Sequence, residues 1–219
     1  MRDELVARLV PLDVCCVSDA LDALGLEGVV DGLSPVWESA RVVGRAVTTK
    51  LVPGSPPAGS PPVHLGARAI EAADPGDVIV VDNAGRATMG SWGGLLAMAA
   101  SIRGVAGVVL DGACRDVDEA RELRFPAFAR GGAVRTARAR VYEESCGEPV
   151  SLSGVTVHPG DIVMADGSGV AVLAAGEAER VVERAEQINR RERAMAERLR
   201  AGDRVSEVLG ASYEHMLKS

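Results

Sequence analysis

The sequence predicts a mixed α/β fold, with a β core, helices on its outside and a helix near the C-terminal end. Three observations carry this expectation. Val- and Ile-rich runs recur between turns marked by Gly and Pro. The stretch 78–123 alternates strand-like and helix-like segments. From 177 to about 200 the chain is densely charged, with apolar residues at helical spacing. The 219 residues suffice for one large or two small domains and a sizeable core. A hydrophobic share of 47% with 25% charged residues excludes a disordered chain. Aromatics make up only 3%, so Val, Leu, Ala and Ile must build the core, and no stacking platform for single-stranded nucleic acid exists. A net charge of -7 provides no basic field for a phosphate backbone, which argues against a nucleic-acid reader.

Each element has a local reason. A short helix fits 3–9. A second takes Ser18 as its N-cap, places Leu21 and Leu24 on one face and stops at Gly25. Val and Thr from Arg41 to Val52 predict a strand. PGSPPAGSPP (53–62) carries five prolines in ten residues and reads as an exposed loop. PGDVIVVDNAG (75–85) and PGDIVMADGSG (159–169) share one frame: a tight turn, a buried strand and a second turn begun by an Asp. The echo suggests two related halves, with Asp82 and Asp166 as turn formers first and site residues second. Between the halves a strand at 78–82, a Gly-rich turn, a helix at 93–103, a strand at 106–111 and a helix at 116–123 form a βαβα stretch. Short strands follow from Phe125 to Val157, with alternation at Ala137–Tyr142. The charged helix of 177–200 precedes a second short helix after Gly202.

The opening MRDELVARLVPLD lacks the apolar stretch of a signal peptide. The longest nearly apolar run, Gly93–Ile102, is about half of a membrane span. Cys15, Cys16, Cys114 and Cys146 show no zinc spacing and read as reduced thiols. The expectation is a soluble cytoplasmic protein.

Chemistry concentrates in GSWGGLLAMAASIRGVAGVVLDGACRD, residues 90–116. Gly93 and Gly94 leave a helix N-terminus bare, so the N–H groups of Gly94, Leu95 and Leu96 can receive a carboxylate or phosphate. The same glycines also suit close helix–strand packing. The dinucleotide pattern G-x-G-x-x-G is absent. At the following strand end, Arg115 offers a planar fork for a carboxylate, and Asp116 a hard oxygen ligand for Mg2+ or Mn2+. Equally, Asp116 and Glu119 fit a D-x-x-E capping arrangement, with Arg115 paired to Asp111 or Asp118. In the C-terminal helix Val181, Ala185, Ile188, Met195 and Leu199 form one apolar stripe that includes Glu192. That carboxylate either serves a site or reaches water at the end of a contact. His64, His158 and His215 are not at ligand spacing, and only His64, after the Pro-rich loop, is a site candidate. Lysine is limited to Lys50 and Lys218, which leaves Schiff-base chemistry without a good residue.

The cluster 90–116, with FPAFARG after it and PGDIVMADGSGVAVL further on, resembles the RraA-like family. That family holds the regulators of ribonuclease activity A and the 4-hydroxy-4-methyl-2-oxoglutarate / 4-carboxy-4-hydroxy-2-oxoadipate aldolases. The resemblance runs from about Ser18 to Arg200. It implies one swivelling β/β/α domain over 1–219, with a helical extension from about 177, assembled as homotrimers or hexamers with sites between subunits. By position it implies substrate binding at Gly93, Gly94, Leu95, Leu96 and Arg115, and a metal ligand at Asp116. A glutamate donated by a neighbouring subunit falls on Glu192, with Glu186 and Glu197 as alternatives. The implied activity is divalent-metal-dependent lysis of a small 2-oxo acid through a pyruvate enolate, by retro-aldol cleavage or oxaloacetate-type decarboxylation. One departure stands out: the aldolases carry an acid where this chain has Gly94. Its loss removes a general acid/base and leaves open a non-catalytic, protein-binding role or altered chemistry. The ribonuclease-regulator branch tends to lose the Asp after the Arg, whereas Asp116 is present here.

Overall fold

The computed structural model describes residues 3–60 and 63–210. Pro61, Pro62, His215 and Lys218 therefore lie outside the described residues. Helices α1 (Glu4–Leu9) and α2 (Val14–Leu24) precede the short strands β1 (Val29–Val30) and β2 (Ser34–Pro35) and the long strand β3 (Val42–Pro53). After the Pro-rich loop come α3 (Ala67–Ala72), β4 (Val78–Trp92), α4 (Gly94–Ile102), β5 (Gly107–Cys114), α5 (Val117–Glu122) and β6 (Ala127–Ala129). The chain continues through β7 (Val141–Cys146), β8 (Val150–Leu152), β9 (Val155–Val157), β10 (Ile162–Asp166) and β11 (Gly169–Leu173) to α6 (Ala178–Arg200) and α7 (Val205–Val208).

One large mixed sheet runs β1-β11-β10-β3-β4-β5-β6-β2, with β7 also paired to β3, and β8–β9 form a separate hairpin. Strands β3, β4, β5 and β6 are parallel neighbours, while β10, β11, β1, β2 and β7 pair antiparallel. Alternation along β3 sets the layers. Val43 packs with α1, α2 and α6, and Val47 and Leu51 with α3 and α4. Val42 and Ala46 face the opposite side, under the β8–β9 hairpin. Val, Leu, Ala and Ile supply most of that core, and Trp92 and Phe128 are its largest fully buried side chains.

The echoed frames are structural staples. Gly76 (φ 97°) and Gly160 (φ 88°) make the first turn of each, a conformation that favours glycine. In the second turns Asp82 accepts from the N–H of Ala84 at 2.9 Å, and Asp166 from that of Ser168 at 2.8 Å. Each uses its other oxygen on a remote element, Asp82 on Ser151 N–H and Asp166 on Val14 N–H. The two strands lie on either side of β3, one parallel and one antiparallel.

Three local expectations are corrected. Helix α2 starts four residues earlier than Ser18, because Asp13 caps it through Cys16 N–H at 2.8 Å; Gly25 does end it, with φ 66°. The strand expected at 78–82 runs on, with register shifts, to Trp92. The alternation at Ala137–Tyr142 is not a strand up to Arg140: residues 137–140 turn, and β7 begins at Val141. Among the described residues no helix is long and apolar enough to cross a membrane.

Candidate functional site

The site lies at the C-terminal ends of the parallel neighbours β4 and β5, where ligands collect in open α/β sheets. Strand β4 ends at Trp92, buried and stacked on Phe125 with ring centroids 6.3 Å apart. The Trp92 carbonyl accepts from Arg115 N–H at 2.8 Å, which fixes the end of β5 beside the start of α4. Gly93 caps α4 in extended conformation and brings no side-chain cap. The cap comes from elsewhere: Asp116 Oδ2 accepts from Gly94 N–H at 3.1 Å.

Asp116 reaches that position through an unusual backbone. Its φ is 56°, in the left-handed region, where a non-glycine residue is uncommon but Asp is tolerated. The turn reverses the chain sharply from β5 into α5. The D-x-x-E capping arrangement is not formed: Asp116 makes no side-chain cap on α5 and faces α4 instead. Asp116 Oδ1 accepts from Arg115 Nε at 3.2 Å. The sequence alternatives for Arg115 fall away, since Asp111 pairs with Arg130 at 2.5 Å and Asp118 with Arg121 at 2.6 Å. Arg115 and Asp116 are each about one-third exposed, so both groups are open to a ligand.

The glycines of the run are a track for these side chains. A Cβ on Gly90 would lie 2.7 Å from Arg115 Cβ, and one on Gly93 2.7 Å from Asp116 Oδ2. A Cβ on Gly94 would overlap Glu119 Oε2. Close packing is thus what Gly93 and Gly94 serve in the structure, and the Gly94 N–H expected to receive a ligand is taken by Asp116. A shallow cleft of about 320 Å³ runs from Arg115–Val117 to Gly132–Val134. Val134 stands 96% exposed at its margin, and Leu95, Met98 and Ile102 form an exposed apolar stripe on α4.

Glu192 sits elsewhere in the chain. Burial first, then Asp13 and Asp19, raises its carboxyl above the usual range, which places it against α2. Glu186 is held by Arg8 and kept below the usual carboxylate range, whereas Glu197 is exposed. His64 is exposed, its ring next to the Leu65 carbonyl. The four cysteines are free thiols, and burial pushes Cys16 and Cys114 up to about 12. Glu119 and Gly90, not among the residues expected from sequence, also pack at this corner. Their signals were readable: Glu119 is three residues after Asp116, on the same helix face, and Gly90 opens the glycine run.

The family model "RraA-like: Aldolase/RraA" matches residues 14–172. The chain belongs to the RraA-like family. A protein of Halalkalibacterium halodurans named "Putative 4-hydroxy-4-methyl-2-oxoglutarate aldolase" is 32% identical over 185 residues, 84% of this chain and 83% of its own. Protein DlpA of Legionella pneumophila is 34% identical over 169 residues, 77% of this chain; the match spans 27% of DlpA's length. The crystal structure of Streptomyces coelicolor RraAS2, described as an unusual member of the RNase ES inhibitor RraA protein family, superimposes with a TM-score of 0.78 at 28% identity. It covers 88% of this chain and 96% of its own. RraA-like architecture thus accounts for the mixed sheet and its outer helices.

Among the described residues no group of three or more His, Cys, Asp or Glu could hold a divalent cation. A cation that keeps several waters and takes one or two carboxylates plus a chelating substrate needs less, and Asp116, at the mouth of the cleft, fits that requirement.

Proposed function

We propose that this RraA-like protein is a divalent-metal-dependent carbon–carbon lyase acting on a small 2-oxo acid. It works by retro-aldol cleavage or oxaloacetate-type decarboxylation, both passing through a pyruvate enolate. The observation that carries the reading is the Arg115–Asp116 pair at the end of β5, turned onto the N-terminus of α4 by a left-handed aspartate. Such backbone geometry costs stability and is retained at functional sites.

Asp116 is the residue that would hold Mg2+ or Mn2+, which supplies Lewis-acid polarisation of the 2-oxo group. Arg115 binds the substrate carboxylate through its guanidinium, whose Nη groups are not engaged by Asp116. The N–H groups of Leu95 and Leu96, at the start of α4, provide fixed donors near the charge that develops as the carbon–carbon bond breaks. Trp92 and Gly93 keep these parts in register. The open cleft and the exposed Leu95, Met98 and Ile102 support a homo-oligomer in which a neighbouring subunit closes the site, with Glu192 as the residue we assign to the donated carboxylate.

A second reading is a binding protein without catalysis, favoured by the absence of an acid at Gly94. The discriminating measurement is pyruvate release from oxaloacetate and from 4-hydroxy-4-methyl-2-oxoglutarate with Mg2+ or Mn2+, against EDTA and metal-only backgrounds. The lyase reading expects turnover that EDTA abolishes and that Asp116→Ala lowers by at least about 10²-fold. No turnover above the metal background, in folded oligomeric protein, overturns it in favour of the binder.

A further inference from the structure

Retro-aldol cleavage needs a group that takes the proton of the substrate hydroxyl, and apart from the Glu192 assigned to a neighbouring subunit, the site residues named above contain no free base. Asp116 is engaged on both oxygens, by Gly94 N–H and Arg115 Nε. A guanidinium such as that of Arg115 offers donors and no acceptor. The other carboxylates of the neighbourhood are also engaged: Asp111 accepts from Arg130 and Ser153 N–H, and Asp118 pairs with Arg121.

Glu119 is the exception. It lies one turn along α5 from Asp116, and its Oε2 fills the space that a side chain on Gly94 would occupy. No hydrogen bond or ion pair of its carboxylate occurs among the described residues, and the residue is exposed. Two carboxylates thus come from the beginning of α5 and the turn before it onto the start of α4. One is tied down and the other is not. Glycine at 94 is what admits the second: any larger residue would displace Glu119 from the mouth of α4.

We propose that Glu119 is the proton-transfer group of this site, supplying from α5 the carboxylate that α4 does not carry. This rests on the lyase reading. With a 4-hydroxy-2-oxo acid, the Glu119 carboxylate accepts the C4 hydroxyl proton. The O–H electron pair becomes the carbonyl of the first product as the C3–C4 bond breaks, and that bond pair passes into the enolate. Protonated Glu119 then returns the proton to C3, giving the second product, a 2-oxo acid, and restoring the carboxylate. Decarboxylation of oxaloacetate starts without this base, because loss of CO2 generates the enolate directly.

The difference between the two reactions is the test. Glu119→Gln, Glu119→Ala and the double variant Gly94→Asp with Glu119→Ala are compared with the parent chain. The rates are aldol cleavage and CO2 release from oxaloacetate. Binding of oxalate, an enolate analogue, in the presence of Mg2+ is followed by calorimetry. Glu119→Gln is expected to slow aldol cleavage about 10²–10⁴-fold, CO2 release by less than about tenfold, and oxalate affinity by less than about threefold. The double variant, which moves the carboxylate to α4, is expected to regain at least about tenfold of the lost aldol rate over Glu119→Ala. Parallel losses in both reactions, or aldol cleavage retained within about threefold in Glu119→Gln, overturn the assignment while leaving the lyase reading intact. A parent chain that neither cleaves, decarboxylates nor binds oxalate overturns both.

Discussion

Gly93→Ala is the sharpest perturbation the site allows, because its cost follows from distances. The residue is extended, with φ -147° and ψ -177°, so alanine meets no backbone strain there. Its Cβ would stand 2.7 Å from Asp116 Oδ2 and 3.1 Å from Arg115 Cγ, against 3.4 Å for ordinary contact. The carboxylate must retreat by about 0.7 Å, and the 3.1 Å hydrogen bond from Gly94 N–H then lengthens to about 3.8 Å and is lost. A hydrogen bond to a charged group is worth about 1.5–3 kcal/mol, and the one-third exposure of Asp116 reduces this to roughly 1 kcal/mol of stability. Activity suffers more, since misplacing a reactive group by close to 1 Å costs about 10²-fold. Gly176→Ala is the control, because nothing lies within 4 Å of a Cβ there. Urea unfolding and EDTA-sensitive pyruvate release are measured on both variants. The expected result is a small fall in unfolding midpoint with a large fall in rate for Gly93→Ala, and neither for Gly176→Ala. Gly93→Ala that matches Gly176→Ala in rate and midpoint would refute the packing of Asp116 on a bare helix start.

Two further predictions concern buried or partly buried charge. Arg130→Ala strands Asp111, whose side chain is 7% exposed, with Ser153 N–H as its remaining donor. Breaking a fully buried pair costs about 3–5 kcal/mol, and with Arg130 itself 31% exposed the expected loss is about 2–3 kcal/mol in urea unfolding. Adding Asp111→Asn should recover part of it; a loss under about 0.5 kcal/mol would contradict the account. Glu192 binds its proton more tightly in the folded chain than in the unfolded one, because of burial and then Asp13 and Asp19. A carboxyl so raised contributes fully below the ordinary glutamate range and loses that contribution as pH climbs through the folded value. Glu192→Gln is therefore expected to raise the urea midpoint at pH 7 and to leave it unchanged below about pH 4. If the assigned role at a neighbouring site holds, the same variant loses activity while gaining stability. A midpoint that falls at pH 7 would refute the sign.

Much of the fold was legible because local rules and tertiary packing agree along most of the chain. The Gly25 stop, the strand from about 42 and the charged helix from 178 follow from glycine's left-handed freedom, β-branched runs and a single apolar stripe. The echoed P-G-D frames read as turn, strand and Asp-started turn on chemistry alone, and so they are built. Ser18 misled because it lies within α2, whose start is already capped by Asp13 on Cys16 N–H and by Asp166 on Val14 N–H. The alternation at 137–140 misled because period two is also met by a run of turns.

For the site, the sequence by itself determined the parts: a bare helix start at Gly93 and Gly94, a fork at Arg115 and a hard oxygen at Asp116. What it left open was which carboxylate serves which helix. D-x-x-E is the same string whether Asp116 caps its own α5 or crosses to α4, and local energetics favour the former. The parallel pairing of β4 with β5 brings α4's N-terminus within reach, and the left-handed turn at Asp116 aims the carboxylate there. Only then does Glu119 arrive over Gly94. Strand pairing is a long-range contact, so the spacing between residues 94 and 119 carries no trace of it. The residue types were written in the chain, and the tertiary structure decided which of them meet.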